Sequence, residues 1–594
     1  MKPIRELAQE KKAAQRKYRK ELTKKNRKKM YDLRQRLTTL MKTTDEEKLR
    51  EDITKLEDPA LRWQILKKGR PAPPRIPNLR WKDRTTTTQE KTEVLGEALE
   101  EKFKPNITTQ SRETEEKILK FYNEIDKKDP GNMPEITEQD FDNALKEAKT
   151  KSAAGPDGIT YGYLKILPPP AKKFLIKTFN QIIQQRRWPN EWKKAQVTML
   201  HKPGKPPCNP NSYRPISLLS CVSKIMERIL KKHLNTQKIP DHQFGFRPGH
   251  STTQQLQRLV TAIAKTKNRK EKGIVVSLDV EAAFDKIPHQ ELLYKMKKTK
   301  QEKWLIQIMK SYYKSRTFHI KIDKRLSRNF QISAGTAQGA VLSPTLYSLY
   351  VSDMPTTTET FQYADDTAFI TSEKSKKNSL IEMNTQLEKL KSWSEEWKIK
   401  INATKSAAML ICHRMPAGEI KYGKDSIPIS NSIKYLGVEV DKRLSFVKHI
   451  TNLRDKNSAK TQSLFRYFKY KDILNSKTRE FFYNTLILPA LLYGLPAWDG
   501  ASDNQWERIQ KIERRWMRLI HQIPQKTKIK AMYRLYPQHN ILRNRNRISI
   551  KTMSDNVDHK NRLILLMRLL GPEGTTKYPH QRISDALMQL CDPA

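Results

Sequence analysis

The run Gly273-Ile-Val-Val-Ser-Leu-Asp279 constrains the fold of this chain more than any other stretch. An apolar, β-rich segment that ends on a carboxylate predicts a buried strand delivering Asp279 to the end of a sheet. Val280-Glu-Ala-Ala-Phe-Asp-Lys-Ile-Pro288 follows, read as a turn of helix, with Phe284 five residues past the acid. A lone Asp at a strand end is ordinarily a helix N-cap. A second segment, Phe361-Gln-Tyr-Ala-Asp-Asp-Thr-Ala-Phe-Ile370, predicts two short β segments joined by a tight turn holding Asp365 and Asp366. Asp is common in turns for local hydrogen-bonding reasons alone.

Together the acids say more. Adjacent carboxylates brought near a third repel unless a cation sits among them. A few hard oxygen ligands, with room left for water and substrate phosphates, suit Mg²⁺. Two such ions can activate a primer 3′-hydroxyl and stabilise a leaving pyrophosphate in an in-line displacement. Between the acids lies Ala334-Gly-Thr-Ala-Gln-Gly-Ala-Val-Leu-Ser-Pro344. Ser343 and Pro344 predict a helix start, since Pro costs nothing in a first turn. The glycines let backbone approach a ligand, and Gln338 can hydrogen-bond a base or sugar.

Charge bounds the partners. The chain has 115 Lys and Arg against 64 Asp and Glu, a net of +51. Self-repulsion on that scale points to a polyanion, and a nucleic-acid backbone fits because Lys and Arg displace its condensed counterions. At 594 residues, two or more domains are expected. Cys208, Cys221, Cys412 and Cys591 form no Cys-x-x-Cys pair, which argues against a disulfide framework or zinc finger and for a reducing compartment. No signal peptide and no apolar run long enough to span a membrane are apparent. Residues 1–70 read as a basic helical leader, with fifteen Lys/Arg and four Asp/Glu up to Arg36. A solvated arm and an RNA-binding arm are equally open readings of it. Residues 71–136 read as linker and helical pre-finger region, including Arg70-Pro-Ala-Pro-Pro-Arg-Ile-Pro77 and Arg84-Thr-Thr-Thr-Thr-Gln89. Mixed helices and strands are expected over 137–446, helices over 447–545 and a basic tail over 546–594.

In order, Asp279 with Phe284, Gln338-Gly339 and Tyr363-Ala-Asp-Asp366 resemble the palm motifs of reverse transcriptases. Ser152-Ala-Ala-Gly-Pro-Asp-Gly158, Tyr213-Arg-Pro-Ile-Ser217, Gln243-Phe-Gly-Phe-Arg-Pro-Gly249, Asn402-Ala-Thr-Lys405 and Lys434-Tyr-Leu-Gly-Val438 resemble the non-LTR retrotransposon branch, jockey-like elements above all. The resemblance implies a right-hand polymerase, with fingers and palm over 137–446 and a helical thumb over 447–545; with the basic helical N-terminal extension read from composition, the expected fold class is α+β. The resemblance implies that Asp279, Asp365 and Asp366 are catalytic metal ligands for two Mg²⁺ ions, for which Mn²⁺ can substitute. Arg214 matches the residue that meets the incoming triphosphate, where a guanidinium can pair bidentately with phosphate. Phe284 matches the gate against a 2′-hydroxyl, Gln338 and Gly339 the substrate-binding loop, and Lys405 a residue that assists the leaving pyrophosphate.

The implied partners are an RNA template, a DNA primer or target DNA and deoxynucleoside triphosphates. The implied setting is nuclear and cytoplasmic, since target-primed synthesis needs access to chromatin. An RNA-binding scaffold descended from a polymerase would be expected to have lost a metal acid, and all three are present here. An intron-encoded maturase should add a splicing domain, whereas the sequence after 447 resembles the retrotransposon thumb. Two departures stand out. Ala337 replaces the usual Pro before Gln338, which predicts a looser loop. No endonuclease constellation precedes the polymerase motifs, so the chain reads as the polymerase part of a larger element protein, a truncated copy or an incomplete gene model.

Overall fold

The computed structural model describes most of residues 2–545, leaving out Glu57, 59–75, 83, 88–89, 324, 414–417, 469–473 and 543. The segment Arg70–Arg75 and nearly all of the tail 546–594 therefore lie outside the described residues. Helices and sheets are segregated, an α+β arrangement. The chain divides into two compact units.

The larger unit holds residues 75–446 with a short segment at 494–501. Its central feature is a four-stranded antiparallel sheet in the order Ala407–Ile411, Lys272–Leu278, Asp366–Glu373, Glu359–Tyr363. The apolar run is thus an inner strand, and both of its faces are covered. Ile274, Val276 and Leu278 pack in one core with Met383, Leu387 and Leu390 of the helix Lys376–Glu396. The opposite face meets the helix Thr252–Asn268. Burial on two sides explains a continuous apolar run where an alternating one would mark a half-exposed strand.

A second sheet orders Tyr213–Leu218, Lys194–His201 and Arg316–Ile322, with Phe330–Ile332 also on the last strand. Its core includes Val197, Phe318, Ile320 and Phe330, closed by Leu95, Leu99 and Phe103 from the helix Lys91–Lys102 and its end. Gly96 has no alternative there, since a Cβ would lie 1.9 Å from the Phe330 ring. Leu79, beside the expected linker, is fully buried in this core, and Arg84–Thr85 pairs with Arg80–Trp81. Ile118, Phe121 and Ile125 join a large helical core with Phe141, Phe179 and Trp304. Residues from 76 onward therefore pack as integral parts of this unit. At Thr137, a capping box with Asp140 starts the helix Glu138–Lys146.

The smaller unit contains residues 1–74, 447–493 and 502–545. The helices Val447–Phe468 and Asp503–His521 meet within it, and Trp516 Nε1 donates to Thr461 Oγ1 at 3.1 Å. The helical spacing from Arg479 to Tyr493 predicts one helix. The structure instead has Ser476–Phe482, a π-helical turn at Tyr483–Ile487 and Leu488–Leu491. Pro489, which has no amide to donate, accounts for the interruption. The first 56 residues form the helices Lys2–Lys20 and Lys24–Leu56, whose described side chains are mostly at least partly exposed.

Candidate active site

The hairpin register brings the acids to one end of the central sheet. Leu278 pairs with Thr367, so one further step sets Asp279 across from Asp366. Tyr363 pairs with Asp366, which makes the connecting turn Ala364-Asp365 and places Asp366 at the first position of its strand. Asp279 is anchored from behind: its amide donates to Ser406 Oγ at 3.1 Å, and its carbonyl accepts from the Asn402 amide at 2.8 Å. The residues after it form irregular turns rather than the expected helical turn, because Ala282 takes a left-handed φ of 51°.

Electrostatics tie the three acids together. Burial pushes the Asp365 carboxyl upward and Asp279 adds to it. Asp366 is raised to about 6, by loss of hydration first and then by Asp365 and Asp279, although it is open to solvent on one side. Lys434 partly offsets this. A group of carboxylates that disfavour one another's charge has the donor chemistry for a divalent cation held by hard oxygens. Among the described residues, no three His, Cys, Asp or Glu side chains are placed so that together they could hold a metal ion as they stand.

Phe284 stacks on Tyr347, with ring centroids 4.5 Å apart, and meets the edge of Phe246 at 6.0 Å. Burial lifts the Tyr347 phenol far above its ordinary range, with Asp365 and Asp366 contributing, so this aromatic stack adjoins the acids. Gln338 Nε2 donates to Asp285 Oδ1 at 2.7 Å, and Asp285 also forms an ion pair with Lys102. Gly339 has a φ of 135°, and a Cβ there would lie 2.4 Å from the Ser217 carbonyl oxygen. Only glycine suits that close approach. The loop is held despite Ala337: the Ala337 carbonyl accepts from Ser343 Oγ at 3.0 Å and from the Ala340 amide at 3.1 Å. The helix that follows runs Ser343–Tyr350, with Pro344 within its first turn.

Arg214 is exposed on the strand Tyr213–Leu218, whose Ser217 amide donates to the Gln338 carbonyl at 2.9 Å. Lys202 lies near it: burial, Lys102 and Arg214 depress the Lys202 ammonium pKa, the mark of crowded cations. Lys405 is exposed, with its amide donating to Asn402 Oδ1 at 3.0 Å. Its ammonium forms no ion pair with the three acids among the described residues. The structure thus gathers the acids with Phe284, joins Gln338 to the Arg214 strand, and sets Lys405 on the turn behind Asp279. Single-residue reasoning missed Gln243, Phe246, Asp285, Lys102 and Tyr347. The Gln243–Gly249 motif was the available signal for the first two.

Residues 200–440 match the family described as reverse transcriptase (RNA-dependent DNA polymerase). That stretch of the chain is similar throughout to reverse transcriptase domains. The chain is similar to proteins that come from mobile elements. It is 33% identical over 486 residues to the RNA-directed DNA polymerase from mobile element jockey of Drosophila melanogaster, covering 78% of this chain and 52% of that protein. The corresponding protein of Drosophila funebris is 29% identical over 74% of the chain and 49% of its own length. A Drosophila melanogaster protein named "Probable RNA-directed DNA polymerase from transposon X-element" is 32% identical over 72% of the chain and 48% of its own length. The chain spans about half the length of these relatives.

Proposed function

We propose that this chain is an RNA-directed DNA polymerase that extends a DNA primer on an RNA template, and that it works in target-primed reverse transcription. The observation that carries the reading is the convergence of Asp279, Asp365 and Asp366 at one sheet end, beside the Phe284–Tyr347 stack. In this reading residues 447–545 are the thumb and the central sheet is the palm. Asp279, Asp365 and Asp366 would hold two Mg²⁺ ions, which when bound supply the positive charge for activating the primer hydroxyl and stabilising pyrophosphate.

The chain's own side chains do the rest. Arg214 and Lys202 bind the incoming triphosphate, Phe284 closes the space a 2′-hydroxyl needs, and Gln338 orients the nucleotide. Lys405 assists the leaving pyrophosphate with a proton. Excess Lys and Arg hold template and primer by their backbones, as a polymerase indifferent to sequence requires. Among the described residues no helix is long and apolar enough to cross a membrane.

Primer extension on poly(rA)/oligo(dT) with dTTP and Mg²⁺ tests the proposal. Asp365→Asn keeps side-chain size but removes a charged ligand, so extension should fall by orders of magnitude while RNA binding persists. Wild-type-like extension by Asp365→Asn would sink the assignment.

A further inference from the structure

Ala364, the residue before Asp365, is the strained point of the hairpin. Its φ of 57° is left-handed, a conformation that costs a residue with a Cβ about 1–2 kcal/mol and persists only where the surroundings enforce it. Those surroundings are His242 to Gly245. Gln243 is fully buried. Its Oε1 accepts from the Ala364 amide at 2.9 Å and from the Gly245 amide at 2.8 Å. Its Nε2 donates to the Ala364 carbonyl at 3.3 Å. One side chain therefore satisfies both backbone polar groups of the turn residue.

The main chain on either side is fastened as well. The Phe244 amide donates to the Gln362 carbonyl at 2.8 Å, and the Gln362 amide to the His242 carbonyl at 3.1 Å. Gly245 then passes so near the turn that a Cβ on it would lie 2.2 Å from the Ala364 nitrogen. Two separate residues, one by hydrogen bonds and one by lacking a side chain, bear on the peptide that leads into Asp365.

We propose that Gln243 and Gly245 are positioning residues that aim the carboxylates of Asp365 and Asp366 at a divalent cation. The inference rests on the metal-ligand reading above. Clamping the Ala364 peptide fixes the plane from which the Asp365 Cα–Cβ bond departs, and Asp366 follows in register with Tyr363. Groups that orient a ligand from behind commonly change metal affinity by about 10–100-fold when removed.

The test uses the full chain, with Mn²⁺ as the probe. Free Mn²⁺ is followed by electron paramagnetic resonance during titration, and Mg²⁺ dependence by primer extension. Gln243→Met removes the amide at similar length, and Gly245→Ala adds one methyl against Ala364. Both should weaken Mn²⁺ binding about tenfold or more and raise the Mg²⁺ concentration for half-maximal extension in parallel. KM for dTTP should stay put, a split that simple loss of folded protein would not produce. Unchanged Mn²⁺ affinity in either folded variant overturns the inference. Loss of the folded state in both, judged by near-UV circular dichroism, overturns it too, since the segment would then be holding the sheet rather than aiming the turn. Asp365→Asn separates the two levels: if it binds Mn²⁺ as tightly as wild type, the metal-ligand reading fails by itself.

Discussion

Glu227 is a completely buried carboxylate on the helix Cys221–Lys232, and three donors converge on it. Its Oε2 accepts from the Val341 amide at 2.6 Å and from Leu342 at 3.4 Å, while Oε1 accepts from the Tyr312 hydroxyl at 3.1 Å. It therefore anchors, from a distant part of the sequence, the turn that leads into the helix Ser343–Tyr350. Burial raises its carboxyl pKa, and the buried Arg316 opposes that rise. Replacing it with Ala leaves two well-formed donors without acceptors, at about 1–3 kcal/mol each. It also removes a counter-charge for Arg316. Relief of the carboxylate's own desolvation offsets part of this, so Glu227→Ala should cost about 3–5 kcal/mol. Glu227→Gln keeps one acceptor and the volume, and should cost about 1–2 kcal/mol. Guanidinium unfolding followed by tryptophan fluorescence reads both values, provided the slope with denaturant is unchanged. A loss below about 1 kcal/mol for Ala, or equal losses for Ala and Gln, would refute the reasoning.

Two further outcomes follow from other parts of the chain. Phe284→Val should raise the efficiency of ribonucleotide over deoxynucleotide incorporation, because the ring now stacked on Tyr347 at 4.5 Å would no longer fill the sugar space. An unchanged ratio in competition assays would make Phe284 a packing residue only. In the helical unit, burial raises the Glu513 carboxyl to about 8. The folded state therefore keeps a proton that the unfolded state has lost. Its contribution to stability is complete below the unfolded value near 4.5 and drains away as pH rises toward 8. The slope should approach about 1.4 kcal/mol per pH unit over that window. Glu513→Gln should flatten it, as denaturation midpoints at several pH values will reveal.

Local chemistry made much of the central sheet legible. The Gly273–Leu278 strand, the acid at its end and the paired-strand reading of Phe361–Ile370 all rest on residue type and short-range pattern. What stayed hidden depends on contacts between distant positions. Glu227 occupies an amphipathic, lysine-rich helix and looks like a surface acid until Val341 and Tyr312 are brought to it. Ala364 carries no mark of a left-handed turn, since Asn or Gly would be usual there and Gln243 supplies the constraint. The stretch around Arg84 was composed like a linker, but its neighbours Leu79 and Thr86 are buried and Arg84–Thr85 forms a strand. The helical turn expected after Asp279 gave way to the left-handed Ala282, while the Gly335 amide donates to the Ile287 carbonyl at 2.7 Å.

The four-stranded sheet has two borders, and each is blunted in the same way. On one side Gln243 bridges Gln362 in parallel, and on the other Ile429 bridges Ala408 in parallel. The Ala408 amide is taken by the Pro428 carbonyl at 2.9 Å, and its carbonyl by the Ser430 amide at 2.7 Å. A bare strand border is a template onto which another chain can add by hydrogen bonding. With both borders met by short bridging segments of the same chain, the sheet that carries the acids offers, among the described residues, a shortened run of free amides to a neighbour. Copies of the chain are thereby guarded against joining through the borders of this sheet.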